Sequence, residues 1–155
     1  MTEITRSLSF DAGHRIPNHK SQCRNLHGHR YTIEITLEGE IMDTAGASSE
    51  GMVMDFADIK AIAKQRVVDP WDHAFLVYRQ DKAVVDFLAS LPGHKTVLLD
   101  QIPTAENLAR TAFDLLAPAY AECFEHRLTL KKIRLYETPN CWADVFAPSR
   151  TNTLP

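Results

Sequence analysis

The sequence predicts an α+β fold, and three observations predict it: two long stretches of apolar alternation near the N-terminus, two later stretches with helical apolar spacing, and two strand-like runs near the C-terminus. A strand with one buried face repeats every two residues, whereas an amphipathic helix repeats every three to four.

From residue 4 to 14 the even positions read Ile4, Arg6, Leu8, Phe10, Ala12 and His14, which predicts a strand with His14 on its buried face. A polar loop follows over 17–25. The second strand, 27–37, carries His27, His29, Tyr31, Ile33, Ile35 and Leu37 on one parity and Arg30, Thr32, Glu34 and Thr36 on the other. Small and polar residues over 39–51 read as a connection, and the apolar run 52–56 as a third strand in a hairpin with the second.

Asp55 or Asp58 is placed to cap a helix over 56–67, in which Phe56, Ile59, Ala63 and Val67 recur at helical spacing and Pro70 closes the segment. Val84, Phe87 and Leu88 suggest a shorter helix ended by Pro92-Gly93, and 96–99 a short strand. Thr104 is the expected N-cap of a longer helix reaching about Glu122, with Leu108, Ala112, Leu115 and Ala119 as its stripe. Residues 128–136 and 142–146 read as strands joined by a Pro139-Asn140 turn. With no repeat or linker, residues 1–155 are expected to form one domain.

Composition narrows the class. Hydrophobic residues at 45% and charged residues at 24% are ordinary for a globular chain, and a net charge of -3 without a dense basic run argues against nucleic-acid partners. No signal-like or membrane-spanning apolar stretch is evident, so a cytoplasmic protein is expected. Cys23, Cys123 and Cys141 are odd in number and form no CxxC pair, which argues against a disulfide framework; Cys123 and Cys141 are read as structural.

Chemistry concentrates in the histidines. His27 and His29, two apart on a strand, point to one face, and His14 shares the core-facing parity of another strand. Three imidazoles suit Zn²⁺ and leave a fourth position for water or substrate. An HxH pair alone would more simply be two core histidines bonded to backbone; the third on a matching face favours a metal site.

Cys23 precedes His27 in a Cys-x-x-x-His-Gly-His pattern, where a thiolate can act beside the metal. A fourth ligand in a closed structural site and a buried small residue both compete with that reading. Gly28 leaves backbone room between the ligands. Asp72 and His73 are an acid–imidazole pair suited to relaying a proton, although such a dipeptide alone is usually turn chemistry. Glu137 shares the parity of Ile133 and Leu135, which aims a carboxylate inward toward adjacent N–H donors of a guanidine-like ring; the alternative is a solvated strand end with a salt bridge.

FDAGHR, CRNLHGH, GMVMDF, DHAFL, PTAEN and YETPNCWA, in that order, resemble the 6-pyruvoyl-tetrahydropterin synthase superfamily, most closely its bacterial 6-carboxy-5,6,7,8-tetrahydropterin synthase branch. The three-residue gap from Cys23 to His27 is the feature that favours this branch over the pyruvoyl synthases of animals. The resemblance implies zinc ligands at His14, His27 and His29, a catalytic base at Cys23, a proton relay at Asp72 and His73, and a pterin anchor at Glu137. It also implies that Thr104 and Glu106 help line the pterin pocket, although capping explains Thr104 equally well.

The implied reaction converts 7,8-dihydroneopterin triphosphate to 6-carboxy-5,6,7,8-tetrahydropterin with loss of acetaldehyde and triphosphate, in queuosine biosynthesis. The alternatives are a 6-pyruvoyl-tetrahydropterin synthase, or a noncatalytic zinc-binding module. The implied architecture is the tunnelling fold (T-fold): an antiparallel sheet with two main helices on one face, forming an oligomeric barrel, commonly a homo-hexamer with active sites between subunits. Lys20 and Arg24 are candidates for holding the triphosphate, or solvated loop charges. Two departures stand out: Tyr136 replaces a common Trp, and residues 77–101 look longer than in compact relatives.

Overall fold

A computed structural model describes residues 1–124 and 127–148. A six-stranded sheet has the order β4-β3-β1-β2-β5-β6. β1 (Thr2–His14) and β2 (His27–Gly39) form a long antiparallel pair, extended by β5 (Thr129–Thr138) and β6 (Cys141–Phe146). On the other side of β1, β3 (Ala74–Tyr78) and β4 (Thr96–Leu99) add in parallel, so the sheet is mixed rather than wholly antiparallel.

One face of the sheet is apolar because each strand alternates. Phe10, Tyr31, Ile33, Ile35, Ile133 and Leu135 are buried there. Against them pack α1 (Phe56–Ala63) and α4 (Ala105–Cys123), through Ile59, Ala63, Leu108, Ala112, Leu116 and Tyr120. Burying such side chains contributes about 1.5–3 kcal/mol each, the main force holding helices to sheet. The opposite face is polar, with cross-strand bonds between Thr5 and Thr36 (2.9 Å) and a two-pronged Arg134–Asp144 pair at 2.7 and 2.8 Å.

Both caps are where the side chains predict them. Asp55 accepts from the Ala57 N–H at 2.7 Å, and Thr104 from the Asn107 N–H at 3.3 Å. The run 52–56, however, is not a strand: Met52 and Gly51 make two backbone bonds with Met42, and Phe56 already opens α1. Gly51, at φ 80°, turns the chain there.

Pro70 does not close the helix. The chain widens into a π turn over Lys64–Val68 and stays helical through α2 (Asp69–Trp71), where Pro70 lies in the first turn and needs no N–H partner. β3 was hidden in the sequence because Phe75, Val77 and their neighbours form a short apolar run without clean alternation. α3 (Lys82–Ala89) then packs Val84 and Leu88 against Val77 in a small separate cluster. No helix among the described residues is long and apolar enough to cross a membrane.

Tyr120 is fully buried, and its hydroxyl donates to the Ile59 carbonyl at 2.8 Å, tying α4 to α1. Tyr120→Phe is expected to lower unfolding free energy by about 1 kcal/mol without changing the fold, measured by chemical denaturation.

Candidate active site

The pairing of β1 with β2 sets His14 opposite His27 and Ala12 opposite His29. All three imidazoles therefore emerge on the buried face at one end of the pair, with ring centroids 4.6 to 5.1 Å apart. One nitrogen from each lies within 4.8 Å of the others. His14 is 1% exposed, whereas His27 and His29 are half-buried.

Two ring orientations are held by backbone. His14 Nδ1 lies 2.7 Å from the Pro103 carbonyl, and His27 Nδ1 lies 2.7 Å from the Asn25 carbonyl. Carbonyl oxygens only accept, so both Nδ1 atoms are assigned the proton and both Nε2 atoms carry lone pairs. Those two Nε2 atoms are 3.1 Å apart. Facing lone pairs at that distance repel unless a cation or proton lies between them, and an all-imidazole donor set is one that zinc accepts. The residues thus fit a metal ion.

Burial pushes the His14 pKa down to about 4; the Pro103 carbonyl opposes that shift, and His27 and His29 add to it. His29 is also lowered, by burial first, against the attraction of Glu137. Glu137 stands near the end of β5 with Oε1 at 3.5 Å from His14 Nε2 and 3.9 Å from His29 Nε2. Tyr31 packs edge-on beneath His14 and His29, its buried hydroxyl without a hydrogen-bond partner among the described residues.

Cys23 lies in a single 3₁₀ turn, Gln22–Arg24, whose Cys23 carbonyl accepts from the Ile16 N–H at 2.8 Å. Its side chain is outside the histidine group and lines a cavity of about 280 Å³ with Thr104, Glu106, Glu137 and Cys141. Thr104 therefore both caps α4 and borders this cavity. Lys20 and Arg24 are exposed on the same turn, where Arg24 reaches the Lys20 carbonyl at 3.4 Å.

Asp72 and His73 are held elsewhere. Asp72 accepts from the Asp11 N–H at 2.9 Å and lies 2.9 Å from His73 Nδ1. His73 is 77% exposed and borders a separate cavity of about 450 Å³ that Asp11, Gly13, Arg30 and Phe75 also line. Ala12 and His29 line this cavity too but Cys23 does not, so within one chain His73 and Cys23 face different cavities.

Several supporting groups carried no sequence signal. The Pro103 and Asn25 carbonyls are backbone, which any residue supplies. Arg15, next to His14, grips Asp81 with two bonds of 2.6 Å, and Asp81 is buried. Nothing in the local sequence marks that pair, because the partner lies 66 positions away.

Fold and site together describe an α+β protein with a metal-competent histidine cluster at the end of a sheet. Residues 3–148 match the family described as 6-pyruvoyl tetrahydropterin synthase, and the chain belongs to that family. It is 39% identical over 145 residues to the 6-carboxy-5,6,7,8-tetrahydropterin synthase of Rickettsia bellii, covering 94% of this chain and 100% of the relative. The protein of the same name from Haemophilus influenzae is 32% identical over 147 residues, covering 93% and 98%. Among solved structures, an uncharacterized Wolinella succinogenes protein has a TM-score of 0.74 at 22% identity, covering 95% of this chain and 98% of that one. Caenorhabditis elegans 6-pyruvoyl tetrahydropterin synthase has a TM-score of 0.63 at 27% identity, covering 95% and 96%.

Two outcomes are expected. A Cβ at Gly28 would meet the Ala12 carbonyl oxygen at 2.8 Å, and backbone there cannot yield. Gly28→Ala should therefore destabilise the chain by about 1–3 kcal/mol and lower the histidine cluster's capacity for a metal ion, read by denaturation and metal titration. In the metal-free chain His14 stays neutral down to about pH 4, whereas unfolded it protonates near 6.5. Its contribution is present above pH 6.5 and is lost as pH falls toward 4, by up to about 3 kcal/mol. His14→Gln should flatten that slope in denaturation curves taken across the window.

Proposed function

We propose that this protein is a zinc-dependent lyase that converts 7,8-dihydroneopterin triphosphate to 6-carboxy-5,6,7,8-tetrahydropterin, releasing acetaldehyde and triphosphate, in 7-deazaguanine and queuosine biosynthesis. The observation that carries the reading is the three-imidazole cluster with Glu137 against it and Cys23 on the adjoining cavity. The names of relatives matched over 98–100% of their length support the product.

His14, His27 and His29 would hold zinc, which when bound supplies a Lewis acid toward oxygens of the substrate side chain. Glu137 accepts two N–H donors from the guanidine-like edge of the pterin and so fixes the side chain toward the histidines. The Cys23 thiolate removes a proton from the side chain, and Thr104 and Glu106 border the ring. Glu137 is 27% exposed, open enough to meet a ligand yet shielded enough to orient it.

Asp72 and His73 act from a second subunit. Their separation from Cys23 within one chain and the outward position of His73 support a homo-oligomer, a hexamer in this reading, with each active site between subunits. The protein works in the cytoplasm.

Incubation of zinc-loaded protein with dihydroneopterin triphosphate should yield acetaldehyde and the carboxy product by mass spectrometry. A product that keeps the side-chain carbons would indicate a 6-pyruvoyl-tetrahydropterin synthase, and unchanged substrate a noncatalytic zinc module. Cys23→Ala should bind zinc as the parent does while losing at least about 100-fold in kcat. Co-assembled Cys23→Ala and His73→Ala chains, each inactive alone, should regain turnover if the two residues meet across subunits.

A further inference from the structure

His73 has φ 57°, a left-handed backbone conformation that a residue with a side chain adopts at a cost of roughly 1 kcal/mol or more. Something must hold it there. The peptide group between Asp72 and His73 is gripped at both ends: its N–H, on His73, donates to the Asp11 carbonyl at 2.6 Å, and its C=O, on Asp72, accepts from Lys95 Nζ at 2.6 Å. The same ammonium also donates to the Asp69 carbonyl at 2.6 Å, at the start of α2.

Lys95 is itself anchored, because its carbonyl accepts from the Phe75 N–H at 3.0 Å where β3 and β4 begin to pair. An ammonium so held and the Asp11 carbonyl pull on the peptide in opposite directions within its plane, which fixes the plane's orientation. Reversing the plane, the natural relaxation of the strained φ, would break both of that peptide's bonds at once, while the bond to the Asp69 carbonyl keeps the ammonium in place. A surface lysine with a merely solubilising role would not bridge two carbonyls of one turn.

We infer that Lys95 is a positioning residue for the Asp72–His73 pair: it locks the peptide plane that turns the His73 ring outward while its Nδ1 stays on Asp72. The inference rests on the proposed relay role of that pair only for its effect on turnover. The lock itself is a property of the fold.

Lys95→Met should lower kcat on the order of 10- to 100-fold with KM little changed, since a misplaced group affects the reacting geometry more than binding. Zinc content should stay at the parental level, and the His73 amide should exchange with solvent faster, on the order of tenfold. Lys95→Arg, which can again donate to both carbonyls, should restore most of both losses. Parental kcat together with parental His73 exchange in Lys95→Met would overturn the inference. If His73→Ala turns over like the parent, the relay reading fails instead; His73 amide exchange in Lys95→Met then decides alone, faster exchange upholding the lock and unchanged exchange refuting it.

Discussion

The register in which β1 pairs with β2 is the constraint to which the site is referenced. His14 stands across from His27, and His29 lies one pleat along, across from Ala12. Because a strand reverses its side chains at every residue, a slip by one would send one strand's imidazoles to the polar face and leave the other's behind. The same slip would expose Ile33, Ile35 and Leu37, so hydrophobic burial and site assembly enforce the same register. Gly28 permits the approach: only a residue without a side chain fits against the Ala12 carbonyl at that point.

Placing imidazoles in an apolar end of the sheet carries a desolvation cost, and the fold offsets it with backbone acceptors from outside the pair. The Pro103 carbonyl comes from the approach to α4, and the Asn25 carbonyl from the turn that also carries Cys23. The Nδ1 protons of His14 and His27 are thereby satisfied, and their Nε2 atoms are turned toward each other. The start of α4 is thus tied to the histidines from one side while Thr104 caps the helix a residue later. A helix end, a loop and two strands share one small volume, and each limits the freedom of the rest.

The stretch from 77 to 101 does more than lengthen a connection. It supplies β4, which extends the sheet in parallel, and α3, which covers Val77. It also supplies Asp81, whose carboxylate meets Arg15 at the exit of β1. A buried carboxylate needs such a partner, because alone it would cost several kcal/mol, roughly, in lost solvation. The bond holds the chain just beyond His14, where Arg15 also lies 3.5 Å from the Arg24 carbonyl beside Cys23.

Much of this protein is written locally. Alternation in β1 and β2 placed three histidines on buried faces, and the caps at Asp55 and Thr104 marked two helix starts, because period and capping depend on neighbouring residues alone. The apolar run at 52–56 is not a strand, because apolar character alone does not distinguish a strand from a turn that buries a single side chain, here Val53. What only the tertiary structure decided is long-range: the parallel docking of β3 on β1, the Pro103 carbonyl on His14 across 89 positions, Asp81 on Arg15, and the separation of Asp72 and His73 from Cys23. Those contacts join residues far apart in the chain, and their partners are selected by the packing of the whole sheet rather than by spacing.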